Sequence, residues 1–153
     1  MGVERSPVTE NGRMWAVLCY LSFLVGFPIG FVPLVTRDDE FALFHARHST
    51  AVWLAVFVST SVLAVFYVFA SFVTCGLASV LVLPVFLLPA AWGMTTGIHG
   101  LVLALDNRWE EPLGTFGLGD RMFSNVELDP AKRRPSLPGT SGGPPPPPPD
   151  PEA

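Results

Sequence analysis

Apolar residues along this chain gather in long blocks rather than alternating with polar ones. Met14 to Val35, Ser49 to Val73 and Leu77 to Leu105 are almost continuously apolar. Blocks of this length predict membrane-spanning helices, because about 20 apolar residues rising about 1.5 Å each cross a hydrocarbon core of roughly 30 Å. No Asp, Glu, Lys or Arg stands between Ser49 and Leu105. A small soluble domain buries only about two-thirds of its unfolded surface, too little to hide such a stretch.

The three blocks differ in texture. In the first, Gly26, Pro28, Gly30 and Pro33 break the helix pattern, so this span is expected to be kinked or re-entrant. Trp15 and Tyr20 near its start suit an aromatic belt at headgroup level. The polar connection 36–48, TRDDEFALFHARH, opens with Thr36 three residues before Asp39, the spacing of a capping box. It predicts a short surface-lying helix with Phe41, Phe44, His45 and His48 on one face. The second block contains no Pro or Gly and reads as an uninterrupted span. The third is longer than a bilayer core, and Pro84 and Pro89 predict that it kinks, tilts or begins with an interfacial piece. Along it Ala90, Gly93, Gly97, Gly100 and Ala104 recur at steps of three and four, a stripe of small residues where another helix, internal or from a second copy, packs closely.

The predicted fold is therefore an all-α integral membrane helical bundle of about three transmembrane helices, the first and last kinked. Residues 1–13 form a polar N-terminal segment. The transmembrane domain is 14–123, with spans 14–35, 49–73 and 77–105 and the linker 36–48. Residues 124–153 form a disordered Pro-rich tail, in which Pro144 to Pro149 is an unbroken polyproline II run. Such a run is the ligand type of SH3, WW or EVH1 grooves, so a proline-recognition partner is a candidate beside a tail with no partner.

Composition narrows the function classes. The chain has 153 residues, 50% hydrophobic and 14% charged, a net charge of −4 and a mean hydropathy of +0.45. Its basic residues are scattered, which excludes the electrostatic footprint of nucleic-acid binding. Cys19 and Cys75 both sit in apolar stretches and imply no disulfide framework. The first apolar block exceeds a signal-peptide core and lacks a clear cleavage site, so it is expected to be retained. With three spans, Arg5 and Arg13 share one side with the Thr74 turn. Arg37, Arg47, Arg108, Arg121, Lys132, Arg133 and Arg134 lie on the other. The positive-inside rule then places the C-terminal tail in the cytoplasm of a bacterial inner (plasma) membrane, and a re-entrant first block would bring the N-terminus to the same side.

Candidate chemistry is sparse. His45 and His48, one helical turn apart beside Asp38, Asp39 and Glu40, are possible metal ligands, against the simpler reading of interfacial histidines next to an acidic cap. His99 is ionisable within an apolar span, and its simplest partner is Thr95 one turn back, making His99 and Thr95 a possible intramembrane polar site. No G-x-S-x-G elbow, Walker A or dinucleotide glycine motif is present. No catalytic residue, cofactor or metal is assigned from the sequence.

The segment Asp39-Glu40-Phe41-Ala42-Leu43-Phe44-His45-Ala46-Arg47-His48 ahead of a long apolar helix resembles a family of small bacterial membrane proteins. They carry a domain of unknown function and are related to the plastid protein-import channel subunit of the Tic translocon. The run Trp15 to Ser22, the stretch Gly97 to Asn107 and the motif Glu111-Pro112-Leu113-Gly114 are similar as well. The resemblance carries over to Phe44, His45, Ala46 and Arg47; where the family motif ends in Gln, this chain has His48. It implies a helical bundle without known catalysis and suggests a part in moving polypeptides. Three readings follow. The first is a non-enzymatic membrane protein, a structural or accessory subunit that self-associates or joins another membrane protein in the lipid bilayer. The second is a translocation or transport component resembling the Tic subunit. The third is a metal-dependent enzyme at the membrane face.

Overall fold

Two hydroxyl and carboxylate side chains start the helices that organise this chain. In the computed structural model, which describes residues 7–130, Thr9 caps α1 (Glu10–Val25) by accepting from the Gly12 N–H at 2.9 Å. Asp39 caps α3 (Glu40–Val73) by accepting from the Ala42 N–H at 3.0 Å. Between them lies the short α2 (Phe31–Thr36), and beyond them α4 (Ala78–Leu105) and α5 (Leu118–Met122). Among the described residues the architecture is all-α.

The two caps are joined. Thr9 Oγ1 donates to Asp39 Oδ2 at 2.5 Å, so the chain entering α1 touches the chain leaving α2. That one contact brings the end of the first apolar block back beside its start. The break is local chemistry. Gly26 takes φ 73°, a left-handed conformation natural to glycine, and its N–H closes α1 on the Ser22 carbonyl at 2.9 Å. Leu34 on the returning arm then packs with Cys19, Leu43 and Ala46. About three spans were expected; among the described residues two helices pass on length and apolarity. The helices long and apolar enough to cross a membrane are Glu40–Val73 and, within α4, Pro84–Leu105. The 16 residues of α1 reach only about 24 Å, short of a bilayer core.

Three further expectations change. The linker 36–48 is no separate surface helix: from Glu40 it is the first part of α3, with Phe41, Ala42, Leu43, His45, Ala46 and His48 buried. Its cap is Asp39, not Thr36, because Thr36 belongs to the end of α2. α4 runs unbroken through Pro84 and Pro89, so its first part is not a distinct interfacial piece. Of the expected tail, residues 124–130 are placed, and Val126 and Leu128 pack on the Cys19, Leu34, Leu43 and Ala46 cluster. The polyproline run and everything else from 131 onward lie outside the described residues.

The bundle has two unlike halves. At one end α1, α2, α3, α5 and the last turns of α4 enclose a core that includes Ala16, Tyr20, Phe41 and Ala104. At the other, α3 and α4 continue as a two-helix hairpin joined at residues 74–77, with Phe66, Phe69, Leu87 and Leu88 exposed and Phe72 86% exposed. Tyr67 and Phe86 meet edge to face across it, ring centroids 5.6 Å apart. So much unpaired apolar surface suits a lipid environment.

The small-residue stripe of α4 faces inward along most of its length. A side chain added at Gly93 would meet Val56 of α3, at Gly97 the ring of Phe23, and at Gly100 the ring of Tyr20. Ala104 is fully buried against the same group, while Ala90 is exposed. Glycine here allows α1 to lie close against α4. Gly100→Ala therefore pushes a methyl into the Tyr20 ring and is expected to cost about 1–3 kcal/mol, the usual penalty of overpacking. Thermal melting in detergent should show a lowered midpoint for it and an unchanged one for Leu88→Ala, whose side chain is 64% exposed.

Candidate functional site

Buried polar chemistry concentrates at the enclosed end, where α1, α3 and the chain leaving α4 converge. His45 is fully buried on α3, and both ring nitrogens are occupied. Nε2 lies 3.1 Å from the Arg108 carbonyl, which can only accept, so Nε2 carries the proton. Nδ1, 3.1 Å from Tyr20 Oη, then accepts the tyrosine proton. One neutral imidazole thus ties α1, α3 and the end of α4. Around it stand Phe41, Phe44 and Trp109, with the Phe41 and His45 ring centroids 4.5 Å apart and those of Phe41 and Trp109 5.1 Å apart.

This corrects two expectations. Tyr20 is not a headgroup-level belt residue; it is buried, with its hydroxyl committed to His45. The constellation of His45, His48, Asp38, Asp39 and Glu40 is not assembled as a metal set, because His45 is spent on Tyr20 and Arg108 while Asp39 is spent on Thr9 and the α3 cap. Of the motif residues, Phe44 packs beside His45, His48 and Trp109, Ala46 is fully buried against Cys19, Leu34 and Leu43, and Arg47 is half-buried.

His99 finds a different partner from the one expected. Its Nδ1 accepts from the Leu113 N–H at 3.0 Å, and Thr96 Oγ1 donates to the Leu113 carbonyl at 3.1 Å. Thr95 instead donates back to the Ala91 carbonyl of its own helix at 2.9 Å. Both backbone groups of Leu113 are therefore held by α4, which pins the 107–117 connection along the helix it has just left. Gly114 and Gly117, at φ 83° and 69°, supply the left-handed conformations this return requires. The loop then feeds α5, and Gly119 sits so close to the His48 ring that an added Cβ would come within 2.9 Å of Cδ2.

Pinning the loop brings Glu111 to α3. Its Oε2 accepts from the Gly117 N–H at 3.1 Å and from Thr115 Oγ1 at 3.4 Å, while its Oε1 is 3.7 Å from His48 Nε2. A ligand atom of Asp120 lies within 4.8 Å of both, and sequence reasoning missed Glu111 and Asp120 as neighbours of His48, since they are remote in the chain. The Glu111-Pro112-Leu113-Gly114 motif was visible, but its relation to His48 was not.

Among the described residues nothing at this end forms an activated nucleophile with its base. What it offers is a rigid polar platform on a lipid-facing hairpin. The Tyr20→Phe variant leaves His45 Nδ1 buried without a donor, and a loss of about 1–3 kcal/mol is expected. A thermal melt in detergent that matched the wild-type curve would show that the tyrosine hydroxyl carries no such weight.

A model of the magnetosome magnetite crystal formation protein family matches residues 11–116 of this chain. Among curated proteins it is similar to the magnetosome protein MmsF of Paramagnetospirillum magneticum (strain AMB-1), 38% identical over 52 residues. That match covers 34% of this chain and 45% of the relative, so it spans less than half of that protein. No solved structure matches.

Proposed function

We propose that this chain, which belongs to the magnetosome magnetite crystal formation protein family, is a non-enzymatic accessory subunit of a membrane at which such crystals form. The observation that carries this reading is the division of the chain into a lipid-facing α3–α4 hairpin and an enclosed end where its buried polar contacts gather. A hairpin anchors; a rigid end presents groups at the membrane surface. Self-association, or association with another membrane protein, would use faces other than the Gly93 to Ala104 stripe, which α1 and α3 already fill. By sequence, Pro144 to Pro149 would suit a proline-recognition domain.

Orientation follows from the two-span count. The Thr9 to Asp39 contact joins the start of α1 to the 37–39 connection, and the His45 to Arg108 contact brings the chain after α4 to the same end of the bundle, which supports one shared side. Every one of the 9 Lys and Arg residues lies outside 49–105. The positive-inside rule favours that side as cytoplasmic, in a bacterial inner membrane or a compartment continuous with it.

The translocation reading loses its footing. The matching family is described by crystal formation, not by the Tic relationship, and the end of the first apolar block is folded back against α3. The metal-dependent enzyme reading used His45, His48 and the acidic turn together, and of these His45 and Asp39 are committed to structural contacts.

Two measurements test the proposal. Produced in Paramagnetospirillum magneticum, the chain is expected to fractionate with magnetite-bearing vesicles and to shift crystal size in electron micrographs. Even distribution through the bulk membrane with unchanged crystals would overturn the assignment. For orientation, Cys75 at the hairpin turn is exposed and Cys19 buried. An impermeant maleimide added to spheroplasts should label Cys75 without permeabilisation, and labelling confined to lysed cells would invert the topology.

A further inference from the structure

Among the described residues His48 is the buried ring at this end with an unused nitrogen. Its side chain is fully buried, and its Nδ1 lies 2.9 Å from the Phe44 carbonyl one turn back. A carbonyl only accepts, so the Nδ1 proton is there and Nε2 holds a lone pair. Nε2 is buried and has no hydrogen-bond partner. A buried acceptor in this condition pays its desolvation with nothing in return, so such an atom calls for an occupant.

Two carboxylates stand near that nitrogen, the Oε1 of Glu111 at 3.7 Å. Oxygens of Glu111 and Asp120, together with His48 Nε2, lie within 4.8 Å of one another. A neutral histidine whose other N–H is fixed by a backbone carbonyl is the usual form of a metal-ligating imidazole. Glu111 is prepared in the same way, since its Oε2 is tied to Gly117 and Thr115, leaving Oε1 free to turn toward His48. Asp120 reaches the group because Gly119 lets α5 lie against the His48 ring. Ligand atoms around a transition metal at about 2.0–2.2 Å stand roughly 3–3.5 Å apart, a closure available to the two exposed carboxylates by side-chain rotation.

We propose that His48 Nε2, Glu111 and Asp120 form a binding site for a divalent first-row transition metal ion at the polar end of the bundle. One imidazole with two carboxylates is a nitrogen and oxygen donor set that suits Fe2+, Mn2+, Co2+ or Zn2+. Mg2+ and Ca2+ prefer oxygen alone. The buried histidine anchors the ion from the protein side, and the exposed acids leave an approach from solvent. Ferrous iron as the natural occupant rests on the proposed role in magnetite formation; the site itself rests on its geometry.

The test uses the full, tag-free chain in mild detergent, stripped with a chelator and titrated with Co2+ by visible absorption, with bound metal counted after desalting. One saturable ion per chain is expected. Asp120→Asn and Glu111→Gln change exposed side chains and should each weaken binding at least tenfold, since losing even an outer-shell partner costs about 10- to 100-fold. Glu110→Gln, altering the exposed partner of Arg108, should bind as wild type. Circular dichroism checks that each variant is folded. Absence of saturable Co2+ binding, or binding indifferent to both ligand variants, overturns the site. Anaerobic titration with Fe2+ should give the same stoichiometry, and failure there alone overturns the ferrous assignment. Because these experiments read bound ions, a chain that binds metal but leaves crystals unchanged would refute the proposed function and keep the site.

Discussion

The structure hangs on a neutral imidazole that must have two partners. His45 is wholly enclosed, and a buried ring nitrogen left unpaired is penalised far more than a paired one is rewarded. Its donor reaches the Arg108 carbonyl and its acceptor the Tyr20 hydroxyl, so three stretches of chain distant in sequence must arrive together. Once they do, the other pins fall within reach: Thr9 with Asp39 at the helix starts, and Leu113 held between Thr96 and His99. Each satisfies a polar group with a partner from another element, which makes this end cooperative where the far hairpin is merely paired.

Hydropathy made the helices legible, and the small-residue steps on α4 were legible too, because both are local, periodic properties. Direction was not. Gly26 and Pro28 announce a break, but only the contact between Thr9 and Asp39, thirty positions apart, says that the chain turns back rather than crossing. For the same reason the cap of α3 was misplaced at Thr36. The capping-box spacing fits there, yet α2 already uses that residue, and Asp39 stands at the actual start.

The histidines show the same limit more sharply. All three stood out as ionisable groups, but the hydrogen-bond partners of two lie beyond their own helix, Tyr20 and Arg108 for His45 and Leu113 for His99, while the free nitrogen of His48 faces a Glu111 oxygen 3.7 Å away. Sequence spacing paired His45 with His48 because they are one turn apart. Burial separates their tasks, one ring closing the core and the other facing the loop.

The turn at residues 74–77 has a consequence for how the protein reaches its place. Nothing from Ser49 to Leu105 carries a formal charge, so the segment that must travel to the far face brings none with it. Charges driven through hydrocarbon dominate the cost of membrane insertion and couple it to the electrical gradient. A hairpin of this kind can enter a bilayer as a unit, with no acidic or basic side chain of Asp, Glu, Lys or Arg to carry across.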